Sequence, residues 1–93
     1  MKQYAVRYSK AFTKALKKFA HQPQKISAIQ NVVLRLAAGE KLEAKFRDHK
    51  LTGEHKDKRE CHVMPDLLLI YEKLDDVLVL HCVDVGSHSE LFG

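Results

Sequence analysis

Four residues spread along the second half of the chain, His49, His62, Asp66 and His88, have the types needed to open a phosphodiester without a metal. For an RNA strand, a base takes the proton of a ribose 2′-OH. A cation steadies the phosphorane, and an acid protonates the departing 5′ oxygen. Histidine changes charge near neutrality and suits either proton-transfer role, and each positioned transfer is worth roughly 10²–10⁴-fold. Lysines or backbone N–H groups would supply the electrostatic part. Taken singly these residues are ordinary. His62 fits an amphipathic strand, Asp66 after Pro65 fits a turn, His49 lies in a charged loop and His88 in a capping turn. Their chemistry depends on meeting in one cleft.

The stretch that must position His88 is the last eight residues, Gly86-Ser87-His88-Ser89-Glu90-Leu91-Phe92-Gly93. It follows an apolar run over residues 77–85 that reads as a strand and is broken by Gly86. Ser87 and Glu90 have capping-box spacing, which predicts one helical turn. His88 then falls at its first position, beside backbone N–H groups that favour an anion such as a phosphate. Leu91 and Phe92 supply apolar anchors.

Upstream, residues 4–8 alternate weakly and predict a short strand. Ser9 is an N-cap for a helix on which Phe12, Ala15, Leu16 and Phe19 recur at helical spacing. Pro23 opens a second helix, whose stripe is Ile26, Ile29, Val33 and Leu36 and whose stop is Gly39. So short a link predicts an antiparallel helical hairpin. Residues 40–58 are charge-dense and predict a loop with a helical turn near 41–46. Three strands follow, over 59–64, 67–73 and 77–85, parted by Pro65-Asp66 and Asp75-Asp76. The order is β-α-α-β-β-β, an α+β fold with the hairpin on one face of a small, antiparallel-rich sheet. Alternation places Arg59, Cys61 and Val63 toward the helices, and Glu60, His62 and Met64 on the other face.

Composition sets the limits. The 93 residues, 45% hydrophobic and 30% charged, suit one soluble domain spanning 1–93. No run is long enough for a membrane span, residues 1–4 begin no signal peptide, and Cys61 and Cys82 suit a reduced, cytoplasmic setting. Adjacent Cys61-His62 and His81-Cys82 would point to opposite faces of a strand, so no zinc site is expected. His21, His55 and His81 take structural roles. Residues 1–39 hold eight Lys or Arg and no acid, whereas the other 54 residues hold eight basic and twelve acidic residues. An all-basic half implies a polyanionic partner.

The segments Asp48-His49-Lys50-Leu51, Cys61-His62-Val63-Met64-Pro65-Asp66-Leu67, Leu69-Ile70-Tyr71 and the C-terminal octapeptide together resemble the YafQ branch of the RelE/ParE toxin superfamily. The resemblance runs over most of residues 46–93; the first half matches only in its two-helix pattern. It implies the toxin half of a type II toxin–antitoxin pair, a metal- and cofactor-free endoribonuclease that cleaves mRNA on the ribosome. It places His49, His62, Asp66 and His88 at catalytic positions. One of the first three would be the base, and His88 the acid or the group that stabilises the leaving oxygen. Phe92 would help hold the RNA, with Glu60, Arg59 and Lys50 as further RNA contacts. The implied partners are an acidic antitoxin, the ribosome with its mRNA, and operator DNA bound together with the antitoxin; no membrane is involved. The basic helices would meet ribosomal RNA. Two departures stand out. Glu60 occupies a position where the better-known member has Asp. Asp84 lies near a position where relatives often carry a basic residue, which leaves Arg59 or a nearby lysine to steady the phosphorane. The alternatives are a ParE-like toxin that binds a topoisomerase without cutting RNA, and an RNA-binding module that has lost its activity.

Overall fold

The computed structural model describes residues 3–93; Met1 and Lys2, the latter one of the basic residues of the first half, lie outside the described residues, as does the Glu54 side chain. The chain opens with strand β1, Ala5–Tyr8, and turns at once into helix α1, Lys10–Lys18. Ser9 makes that corner as N-cap, its Oγ accepting from the Phe12 N–H at 2.9 Å, a bond worth about 1 kcal/mol. Helix α2, Pro23–Ala37, begins on proline, whose missing N–H is one the helix start leaves unpaired in any case. It ends at Gly39, whose φ of 80° is left-handed and costs glycine little.

Between Gly39 and Arg59 the chain is irregular but not featureless. A 3₁₀ turn, Ala44–Phe46, matches the expected helical turn. A two-residue strand β2, His49–Lys50, and a second 3₁₀ turn, Gly53–His55, were not expected. Two residues carry no period, and β2 exists only because the edge of the next strand pairs with it. That strand is β3, Arg59–Met64, followed by β4, Leu67–Leu74, β5, Val79–Gly86, and the terminal helix α3, His88–Phe92. The fold is thus α+β with a five-stranded sheet in the order β1-β5-β4-β3-β2. β2 to β5 form an antiparallel meander, and β1 joins β5 in parallel.

The helices cover one sheet face. Phe12, Ile29 and Leu36 from the hairpin and Cys61, Leu69, Leu80, Cys82 and Val85 from the strands are almost fully buried in one cluster. Each such large apolar side chain contributes roughly 1.5–3 kcal/mol through burial. Cys61 and Val63 lie there as alternation predicts, but Met64 joins them rather than pointing with His62. The cause is a register shift between His62 and Met64, a bulge that breaks the two-residue period before the Pro65-Asp66 turn.

Candidate active site

The register builds the site row by row. Glu60 pairs with His49 on β2 and with Ile70 on β4, and Ile70 pairs with Asp84 on β5. Two residues along β3, His62 pairs with Leu68, which pairs with Gly86. Cross-strand partners share a face, as do residues two apart. His49, Glu60 and His62 therefore meet on the face away from the core helices.

Glu60 is the centre of that group. It is only 6% exposed and is the only buried charged residue among those described. Its Oε1 lies 3.3 Å from His49 Nε2 and 3.8 Å from His62 Nε2. A buried carboxylate is costly unless it is paired, and the two imidazoles are the groups placed to pair it when they carry a proton. The His49 Nδ1 lies 3.0 Å from the Lys50 carbonyl, and Nε2 is the nitrogen turned toward Glu60. The His49 side chain remains 53% exposed, so its ring stands open at the surface.

The second half of the site forms at the C-terminal end. The capping box is complete: Ser87 N–H donates to Glu90 Oε1 at 2.8 Å, and Glu90 N–H donates to Ser87 Oγ at 3.2 Å. Gly86 permits this closure, because a Cβ there would meet Glu90 Oε1 at 3.1 Å. The Ser87 contacts hold the Glu90 carboxyl below its ordinary pKa. The first-turn N–H of His88 donates to Asp66 Oδ1 at 3.3 Å. The anion expected at this helix start is thus the protein's own Asp66, not a free phosphate. His88 and Phe92, one turn apart, have ring centroids 5.2 Å apart and tilted by 45°. The row from His62 ends at Gly86 and the turn after β3 holds Asp66 on α3, so His62, Asp66 and His88 lie at the same end of the sheet.

Arg59 and Lys50 lie elsewhere. They are cross-strand partners on the opposite face from His49 and Glu60. Arg59 Nε donates to Asp48 Oδ1 at 3.1 Å, and Tyr71 O–H donates to the same oxygen at 2.6 Å. Arg59 is committed to this network, so the structure does not bring it to the histidines as a stand-in for the missing cation. Asp84 is likewise engaged, accepting the Val85 N–H at 2.8 Å beside the register shift between β4 and β5. Two cations that the sequence does not single out line a groove of about 460 Å³ with His62, Met64 and Pro65: Lys45 and Arg47. Arg47 adopts a left-handed φ of 51° as the cap of the 3₁₀ turn, which turns the chain toward β2. The dense mixture of charge over residues 40–58 hides both from any pattern.

Comparison with known proteins places the chain in a family and matches its fold. The chain is 31% identical over 94 residues to the mRNA interferase toxin YafQ of Escherichia coli strain B / BL21-DE3, over the full length of both. It is 42% identical over 52 residues to the mRNA interferase toxin YafQ of strain K12, where the match spans 56% of this chain and 54% of the relative. The toxin in the crystal structure of the E. coli DinJ–YafQ complex superposes with a TM-score of 0.86 at 30% identity, covering 98% of this chain and 100% of that one. The family model for the bacterial toxin of type II toxin–antitoxin systems, YafQ, matches residues 4–93. From the first strand to the last residue, this chain belongs to the YafQ family of toxins.

Proposed function

We propose that this toxin is a metal-independent endoribonuclease that cuts mRNA on the ribosome and so arrests translation. The observation that carries the reading is the Glu60 carboxylate set between the His49 and His62 rings at 3.3 and 3.8 Å, at the sheet end where Asp66 holds the amide of His88. The 2′-oxygen attacks the adjacent phosphorus as its proton passes to His49, His62 or Asp66. The P–O5′ bond breaks, and His88 protonates the departing oxygen or stabilises it. A 2′,3′-cyclic phosphate and a 5′-OH remain. Phe92, 39% exposed and held against His88, offers a face on which a base stacks. Lys45 and Arg47 supply positive charge beside His62.

The cognate partner is an acidic antitoxin. The lysine-rich helices meet ribosomal RNA, and operator DNA is bound in company with the antitoxin. No helix among the described residues is long and apolar enough to cross a membrane, and the cytoplasm, where ribosomes work, is the proposed location. The test compares His62→Ala and His88→Ala with the parent in a translation assay, with primer extension on the reporter mRNA. Loss of arrest and of cleavage ends supports the reading. Two variants that arrest translation as the parent does, or arrest without cleavage, overturn it.

A further inference from the structure

Two consecutive residues of β3 hold two consecutive residues at the start of β2, one on each face of the sheet. On the open face Glu60 meets His49 Nε2 at 3.3 Å. On the helix side Arg59 Nε donates to Asp48 Oδ1 at 3.1 Å, and the Tyr71 hydroxyl donates to the same oxygen at 2.6 Å. Arg59 and Tyr71 are themselves cross-strand partners on β3 and β4. Tyr71 is 1% exposed and belongs to the core cluster, so its hydroxyl is a fixed point. Hydrogen bonds to an ionised carboxylate are roughly twice as strong as neutral ones. β2 needs such a fixed point. It has two residues, ends the strand order and, among the described residues, pairs with β3 alone. Beyond that pairing, the Leu51 N–H donates to the Lys58 carbonyl at 3.0 Å. So short a strand, bonded along one side only, is free to pivot about that side and to fray.

We infer that Asp48, Arg59 and Tyr71 are positioning residues for RNA cleavage. They pin the helix side of β2 to the core, and this sets where the His49 ring stands on the other side. The inference rests on the nuclease reading above. None of the three touches the reacting atoms: their network lies across the sheet from the histidines. Neighbouring residues of a strand point to opposite faces, so any roll of β2 that carries Asp48 away from Tyr71 also swings His49 away from Glu60. Arg59 therefore serves the reaction through Asp48 rather than by meeting phosphate, since its Nε is already spent on that carboxylate.

The test is a double-mutant cycle on mRNA cleavage by programmed ribosomes. Asp48→Ala should lower kcat about 10- to 100-fold, the range that a misplaced group costs, with KM little changed. In a His49→Ala background the same substitution should cost less than about twofold, because its effect passes through the ring already removed. Asp48→Asn, which keeps an acceptor for both donors, should recover part of the rate. Tyr71→Phe removes one donor and should give the same pattern with a smaller fold-change. Amide exchange at Leu51 should quicken in Asp48→Ala while Leu69 and Leu80 in the central strands stay protected, a readout independent of cleavage. Parent-like kcat in both Asp48→Ala and Tyr71→Phe, an equal loss in the two backgrounds, or a loss confined to KM overturns the positioning role. A His49→Ala variant that cleaves as the parent does also overturns it, because β2 then has nothing to position. A parent that yields no cleavage overturns the nuclease reading itself, and exchange at Leu51 then decides whether Asp48 pins β2.

Discussion

Glu60 and His49 face each other across the outermost strand pair, the carboxylate 3.3 Å from the ring's Nε2. One partner is buried and the other half-exposed, so the pair straddles the boundary between the sheet and its open surface. The sheet supplies the fixed end through Glu60, and His49 carries that fixity to the surface on a strand of two residues.

Replacing Glu60 tests this directly. Glu60→Gln keeps the shape but removes the charge shared by His49 and His62. The expected loss in kcat for mRNA cleavage is about 10- to 100-fold, less than a whole proton transfer, with KM for programmed ribosomes little changed. Glu60→Asp should retain part of the rate, since the charge survives with a shorter reach. Parent-like kinetics in the Gln variant would leave Glu60 as a space-filler.

Asp66 stands in two roles that one substitution separates. Its carboxylate holds the His88 N–H, and its type suits the base for the 2′-OH. Asp66→Asn keeps an acceptor for the amide but cannot take a proton at neutral pH. If Asp66 only positions α3, Asn should restore most of the activity that Ala loses. If Asp66 is the base, Asn and Ala should be equally poor. The assay is cleavage of a reporter mRNA, read beside amide exchange at His88, which Ala should accelerate in either case.

Arg47 is predicted to contact phosphate. Its backbone is left-handed, with φ of 51°, a region that Asn adopts readily, so Asn isolates the loss of charge. Arg47→Asn should weaken binding to RNA of any sequence and lower the slope of log affinity against log salt by about one. An unchanged salt slope would remove Arg47 from the RNA path.

How much of this was legible depends on the signal each element carries. The helical hairpin could be read because Ser9, Pro23 and Gly39 punctuate stripes of regular period. The terminal helix was as clear, since Ser87 and Glu90 complete a box whose two hydrogen bonds both form. β2 was not legible, because His49 and Lys50 are too few to show alternation. The parallel pairing of β1 on β5 joins segments some seventy residues apart, and nothing local records it. Alternation placed Arg59 on the helix side, but only the fold reveals Asp48 and Tyr71 waiting there. The meeting of Glu60 with two histidines needs the strand register, which a sequence does not write down.

The last prediction concerns alkali. Burial pushes the Cys61 thiol up from 9.0 to about 12, helped by the nearby Asp48 and Glu60 charges. Burial does the same to Cys82, also to about 12, and burial together with the hydrogen bond to Asp48 raises the Tyr71 phenol above its ordinary 10.0. A group whose pKa is raised by folding binds more protons folded than unfolded between its two pKa values, so stability falls as pH rises through that window. The contribution is intact below the unfolded thiol value of 9.0 and is lost progressively toward 12. Urea midpoints measured with reductant present should therefore hold level from pH 7 to 9 and then fall steeply. Cys82→Ala should soften the fall by removing one titrating group, even though the lost sulfur lowers the neutral-pH midpoint. Tyr71→Phe should soften it too, while the loss of a charged hydrogen bond lowers stability at pH 7 by about 1.5–3 kcal/mol. A midpoint that stays level to pH 11 in the parent chain would mean that these groups ionise without opening the core, contrary to their burial.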